Sequence, residues 1–201
     1  MKRLIVAAFA LLAGCSLPIA PQSADITHTL ALAPQASIAL AVPVEQTLQV
    51  MAPGAAPGYA TTAIAYRQSA YELRYYARQR WIDRPARLLG QALVDGLSAG
   101  GARVLPEGGG IRADYRLLSQ LLQIEQDFTT RPSRMRLALR VQLVDVRDGR
   151  LLGGQTLRLE QAAGSDDAAG GVAAANALLL RAVVETAQFC QRLTAAAGSA
   201  E

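Results

Sequence analysis

Arg134-Met135-Arg136-Leu137-Ala138-Leu139-Arg140-Val141-Gln142-Leu143-Val144-Asp145-Val146 is the stretch that sets the architecture. Met135, Leu137, Leu139, Val141 and Leu143 alternate with Arg134, Arg136, Ala138, Arg140 and Gln142. An extended chain turns that period of two into one buried face and one wet face. Asp148-Gly149 follows as a tight hairpin signal, and residues 151–161 read as the return strand. Upstream, residues 113–128 form another long extended run, so 113–161 predicts a three-stranded antiparallel meander.

Outward from this meander the pattern changes period. Leu88, Leu89, Ala92, Leu93, Gly96 and Leu97 recur at helical spacing, with Asp83 as an N-cap, Pro85 in the first turn and Gly100-Gly101 as the stop. This predicts an amphipathic helix over 84–99. A second helix is expected over 171–196, with Val172, Leu179, Val183, Thr186, Cys190 and Leu193 along one face. Short apolar runs at 27–33 and 47–52, ended by Pro34 and Pro53, read as strands, and residues 53–58 as a loop. Residues 62–67 and 71–77 flank Gln68-Ser69-Ala70 as a hairpin. Residues 104–106 make a short strand, Gly108-Gly109-Gly110 a loop, and 162–169 a small acidic loop. The class is α+β: a single domain over 27–197, mainly antiparallel, with two principal helices packed on the sheet.

The N-terminus carries a different kind of information. Lys2 and Arg3 precede an apolar run from Leu4 to Ala13, the layout of a secretory signal. A bilayer span needs about 20 apolar residues, more than this run supplies. Leu12-Ala13-Gly14-Cys15 resembles the lipobox of bacterial lipoproteins. The expectation is a signal peptide over 1–14, removed before a Cys15 that bears diacylglycerol and acyl chains. Each buried methylene contributes about 0.8 kcal/mol, so two or more chains anchor stably. Ser16, rather than Asp, at the next position favours the outer membrane, on its periplasmic side. Residues 15–26, with Pro18 and Pro21 and no periodicity, read as a tether.

The composition argues against several classes of function. The formal net charge of +4 includes Lys2 and Arg3, which leave with the signal, so the mature chain is too mildly basic to argue for nucleic acid. With Cys15 lipidated, Cys190 has no disulfide partner, and its apolar setting makes it a small buried hydrophobe. His28 is the only histidine, which leaves no multi-histidine metal site and makes a structural role the natural one. The glycine runs lack the following Lys-Ser/Thr of a phosphate-binding loop. Glu125 and Asp127 lie two apart on one strand and could pair with Arg134, Arg136 and Arg140, which reads as a solvated sheet face before it reads as an acid/base pair. No enzyme, metal or non-covalent cofactor is expected.

One cluster stands out. Tyr66, Tyr71, Tyr75, Tyr76 and Trp81 hold half of the chain's aromatic residues and interleave with Arg67, Arg74, Arg78 and Arg80. Tyrosine, tryptophan and arginine are enriched in interface hot spots. Tyr75, Tyr76, Arg78 and Trp81 are therefore the candidate partner-binding residues, with the alternative that Trp81 anchors the hairpin in the core.

Ile64-Ala65-Tyr66, Leu73-Arg74-Tyr75-Tyr76, Trp81, Pro85, the leucines of the 84–99 helix, Ala113-Asp114-Tyr115-Arg116-Leu117, Ile124-Glu125-Gln126-Asp127-Phe128 and the 134–150 hairpin together resemble the ABC-type transport auxiliary lipoprotein family. That group includes the lipoprotein of the paraquat-inducible lipid-transport operon. The resemblance implies a non-enzymatic periplasmic component that docks, alone or as a homo-oligomer, with an MCE-type membrane protein or an ABC permease complex. It transfers no catalytic residue. Two other functions share the anchor and the layout: a lipid-binding carrier, and a structural lipoprotein of an outer-membrane assembly or secretion complex.

Overall fold

The computed structural model describes residues 24–33, 46–101, 103–108, 110 and 112–198. The signal sequence, Cys15 and all but the end of the tether lie outside these residues. The strands are β1 (Ile26–His28), β2 (Thr47–Val50), β3 (Gly54–Ala55), β4 (Ala63–Arg67), β5 (Arg74–Trp81), β6 (Arg103–Pro106), β7 (Tyr115–Asp127), β8 (Arg134–Asp145) and β9 (Leu151–Ala162). The helices are α1 (Pro85–Ala99) and α2 (Ala168–Gly198), and a 3-10 turn spans Pro57–Tyr59. The α+β class and the β7–β8–β9 meander are as expected.

Strand β7 is the spine of the sheet. β8 pairs antiparallel with it from Tyr115↔Asp145 to Asp127↔Arg134, and β9 continues the sheet beyond β8. Along the opposite edge of β7, β2, β3 and β4 follow one another, all parallel to it, at Leu48↔Tyr115, Gly54↔Gln120 and Ala65↔Glu125. β6 joins β2 in parallel, β5 closes an antiparallel hairpin with β4, and β1 adds in parallel to β5. The sheet is thus mixed where a mainly antiparallel one was expected. Residues 47–67 travel along β7 in one direction, interrupted by Pro53 and the 3-10 turn, so three consecutive segments pair without reversing. Alternation within each segment reveals its buried face but not its neighbour or its direction.

Both helices cover one face. α1 packs on β2, β6 and β7, and α2 on β8 and β9, with the two helices in contact. Leu117, Leu121, Ile124, Leu137, Leu139, Val141 and Leu143 meet Leu89, Leu93, Leu97, Leu178, Leu179, Ala182 and Val183 in one buried cluster. α2 has the length and mean hydropathy (1.4) of a membrane-crossing helix, yet half of that window is buried, as in a core helix. Cys190 lies within it, 1% exposed, and burial pushes its thiol up to about 12, so it packs as a small hydrophobe. Asn176 on α2 clasps the chain after β1: its Oδ1 accepts from the Ala31 N–H at 2.8 Å and its Nδ2 donates to the Thr29 carbonyl at 3.3 Å.

Two local expectations shift. Asp83 is not the N-cap of α1; Arg84 is, with φ −56 and ψ 131. Pro85 keeps the residue before it out of the helical region, which moves the cap one position along. Asp83 instead accepts from the Arg84 N–H at 2.7 Å and pairs with Arg87 at 3.2 Å. At the start of α2, Gly170 and Gly171 leave no room for a side chain. A Cβ on Gly170 would sit 2.3 Å from the Ser165 carbonyl, and one on Gly171 would sit 2.2 Å from Gln126 Oε1.

Candidate functional site

Two bulges decide which side chains the molecule displays. In the β4–β5 hairpin, a step of two residues between Ala63 and Ala65 faces a step of five between Tyr75 and Arg80. The extra residues bow out and reverse the alternation of β5. Ala77 and Arg78 are therefore exposed, while Trp81 turns into the core at 2% exposure. Trp81 is thus withdrawn from the partner-binding residues: its indole is buried beneath the sheet, and no partner can reach it.

The remaining candidates separate by face. Tyr75 is 42% exposed and donates its hydroxyl to the Gly58 carbonyl at 2.9 Å, so its ring is held across the 3-10 turn. Tyr71 stands fully exposed at the hairpin end. Arg78 is exposed and has no hydrogen-bond or ion-pair partner among the described residues. Tyr76 points the other way. It is half-buried, its ring lies 4.8 Å from that of Tyr66, and its hydroxyl donates to Gln126 Oε1 at 2.9 Å. His28 pairs through Nε2 with Gln79 Oε1 at 2.5 Å, a bond that ties β1 to β5.

The second bulge lies in β7 between Leu121 and Gln123. Before it Leu117 and Leu121 face the helices; after it Ile124 and Gln126 do. Glu125 and Asp127 consequently share the opposite face, but that face is not the solvated one expected. Glu125 is 0% and Asp127 1% exposed: Tyr59 of the 3-10 turn and Arg67 engage Glu125, and Arg136 engages Asp127. Glu125 accepts from the Tyr59 hydroxyl at 2.5 Å and from Gln123 Nε2 at 2.9 Å, and pairs with Arg67. Asp127 pairs with Arg136 at 2.7 Å and accepts from the Thr129 N–H at 2.7 Å. Burial and the Glu125 carboxylate hold the Tyr59 phenol well above its ordinary range. Both carboxylates are thus held by neighbouring cations and donors.

Burial alone would raise the Asp127 pKa, but the bonds from Thr129 and the charges of Arg136 and Arg67 outweigh it and hold the carboxyl below its usual range. Arg147 does the same for Asp145, the Ser133 N–H for Asp166, and the Gly170 N–H for Asp167. Carboxylates depressed in the folded state stabilise it fully above their unfolded pKa and lose that contribution as pH falls through the folded one. Thermal melts followed by circular dichroism should therefore give a midpoint that is flat from about pH 7 to pH 5 and falls steeply below about pH 4. An Asp127→Asn variant should show a shallower fall. A melting temperature unchanged down to pH 2 contradicts the assigned network.

A feature that sequence reading missed lies at the same end of the domain. Tyr66, Tyr76 and Phe128 wall a slot of about 450 Å³ with Gln79, Asp166 and Asp167. Phe128 stands edge-on to Tyr66 at 5.9 Å and 89°. The residues converge from the β4–β5 hairpin, the β7–β8 turn and the loop before α2; the only advance signal was the acidity of that loop. Among the described residues, no group of three or more His, Cys, Asp or Glu side chains could hold a metal ion.

Comparison with known proteins agrees with this architecture. A solved Xanthomonas campestris protein of family DUF330 superposes with a TM-score of 0.75 at 20% identity, over 87% of this chain and 99% of its own. A second solved structure, of an uncharacterized protein, gives 0.64 at 14% identity over 85% and 98%. A PelC dodecamer subunit from Paraburkholderia phytofirmans is more distant, with 0.45 at 14% identity over 81% and 93%. No curated protein matches the sequence. The family model for the ABC-type transport auxiliary lipoprotein component matches residues 28–187, from the end of β1 well into α2, and the chain belongs to that family.

Proposed function

We propose that this protein is a non-enzymatic docking component of an MCE-associated intermembrane lipid transporter, held by a lipid on Cys15 at the outer membrane and facing the periplasm. Family membership supplies the transport role. The observation that carries docking is the β4–β5 hairpin, where Tyr71 at the hairpin end, Tyr75 and the bulged Arg78 stand exposed while the buried carboxylates are paired internally. A rigid strand that presents tyrosine and arginine has the composition of an interface hot spot. The partners that fit this reading are an MCE-type membrane protein or the ABC permease complex.

A Tyr75→Ala, Arg78→Ala double variant should stay folded and lose about 1–2 kcal/mol, since Tyr75 gives up its bond to the Gly58 carbonyl while neither side chain lies in the core. It should bind the MCE-type partner at least about tenfold more weakly, as measured by co-purification and by titration of the purified pair. Unchanged binding by a folded variant would remove the hairpin from the interface. The anchor is tested separately. A Cys15→Ala form exported with an ordinary signal should fold and bind in vitro, yet fail to complement a deletion strain; full complementation would show that the tether is dispensable.

A carrier function has one observation in its favour. A cleft of about 430 Å³ runs between residues 29–33 and α1, lined by Leu30, Leu32, Leu88 and Ala92. Native mass spectrometry that finds no co-purified phospholipid would dismiss it.

A further inference from the structure

We propose that the slot between Tyr66, Tyr76, Phe128, Asp166 and Asp167 receives a guanidinium or ammonium side chain presented by the protein partner. The inference rests on the docking function for the source of the cation, and on the geometry alone for its chemistry. Aromatic rings present negative faces that attract a cation lying within about 6 Å of the ring centre. Here the rings form a corner rather than a stack: Tyr66 and Tyr76 are inclined at 46° and Tyr66 and Phe128 at 89°. The slot opens to solvent, and its volume of about 450 Å³ admits a side-chain head and part of its stem.

The exposed carboxylates of Asp166 and Asp167, both in the lining, supply the charge. Asp166 Oδ1 accepts from the Ser133 N–H at 2.7 Å. Asp167 Oδ1 accepts from the Gly170 N–H at 2.8 Å and the Ser165 hydroxyl at 2.7 Å. The Ser133 side chain also bears on Asp166, and the Ala169 N–H on Asp167. Among the described residues no arginine lines the slot; Arg131 acts on Asp166 and Arg74 on the Tyr66 hydroxyl from outside it. The Tyr76 hydroxyl is pushed up to about 12, first by burial and then by Tyr66, Asp167 and Asp166, so the negative field reaches the aromatic wall.

The walls are also held in place. Gln126, fully buried, accepts from Tyr76 and donates to the Ser133 hydroxyl at 2.9 Å, and the first turn of α2 abuts it at Gly171. A cation therefore meets a preformed site and loses little in ordering it. An anion is repelled by both carboxylates. A zwitterionic lipid headgroup would bring its phosphate up beside them, which favours a protein side chain over a lipid.

The test is an aromatic proton–carbon NMR titration of the purified full chain with ethylguanidinium, with neutral ethylurea as the matched control and phosphoethanolamine as the lipid-headgroup probe. Ethylguanidinium should give saturable shifts at Tyr66, Tyr76 and Phe128, and ethylurea should bind at least about tenfold more weakly. An Asp166→Asn, Asp167→Asn variant, whose amide oxygens still accept the Ser133 and Gly170 N–H bonds, should stay folded at neutral pH with a lowered melting temperature, since both carboxylates contribute to stability there, and lose at least about fivefold in ethylguanidinium affinity. Equal binding of ethylurea, or no ring shifts in a folded protein, overturns the proposal. Phosphoethanolamine binding as tightly as ethylguanidinium assigns the slot to a lipid and overturns it as well. The docking function fails separately, when the wild-type chain does not bind the MCE-type partner at all. If the partner binds and the Asp166→Asn, Asp167→Asn variant binds it equally well, only the slot assignment falls.

Discussion

Trp81→Ala will lower the unfolding free energy by about 3–5 kcal/mol, the cost of removing a large aromatic side chain from a packed core. Trp81 is 2% exposed and belongs to the same cluster as Leu89, Leu93 and Leu117, while its backbone N–H donates to the Thr62 carbonyl at 2.7 Å. The backbone bond survives the substitution, so the loss belongs to the indole. For a domain of this size, about 2–4 °C accompanies each kcal/mol, which puts the melting temperature roughly 6–20 °C lower. Urea unfolding should show a lower midpoint at an unchanged slope. Tyr71→Ala, at a fully exposed position in the turn that leads into β5, should change stability by no more than about 0.5 kcal/mol. A Trp81→Ala variant within about 1 kcal/mol of wild type would show that the side chain sits at the surface, and would return it to the interface.

Glu125→Ala is the second large effect, at about 3 kcal/mol. The carboxylate is fully buried and holds three donors: Tyr59, Gln123 and Arg67. Removing one partner of a buried pair leaves the other charge uncompensated, at about 3–5 kcal/mol. Arg67 is 23% exposed and can regain some water, which places the expectation at the low end. Glu125→Gln, which keeps an acceptor but not the charge, should cost about 1–2 kcal/mol. The substitution also has a local signature. The 3-10 turn is held by the Ala56 N–H to Leu121 carbonyl bond at 2.8 Å and by Tyr59 on Glu125. Hydrogen exchange at Tyr59 and Ala56 should accelerate more than exchange in β8. Uniform acceleration across the domain would mean that Glu125 stabilises the whole fold and does not clamp the turn.

Residues that obey one period were legible in the sequence, and residues where a period breaks were not. Met135 to Leu143 alternate without interruption, and β8 lies where the alternation places it. The leucines of α1 recur at helical spacing and are buried on one side. In β7, by contrast, Leu121 and Leu122 are adjacent and equally apolar, so nothing in the letters marks the bulge that follows. That bulge moves Glu125 and Asp127 to the face covered by the 3-10 turn, and a solvated pair becomes a buried one. The same holds for β5, where Tyr75 and Trp81 share a parity and face opposite ways. The tyrosine–arginine cluster was visible as composition, and its division into exposed Tyr75 and Arg78 and buried Trp81 follows from the bulge. The aromatic slot was invisible because Tyr66, Phe128 and Asp166 are neighbours only after β4 has paired with β7.

The way β1 is attached bears on how the domain carries load. Any pull that enters through the chain ahead of Asp25 arrives first at a strand of three residues on the margin of the sheet. Behind it are the two Asn176 bonds and the His28–Gln79 bond, and only then the meander and its helices. Tension between a membrane and a bound transporter would therefore peel β1 and residues 29–31 before it reached β7. The chain so released, which withdraws Leu30 from the core, would lengthen the leash by several residues while the meander and the β4–β5 hairpin stay folded. In the proposed docking function the edge strand would act as a mechanical fuse, yielding under strain and re-forming when the two membranes draw together.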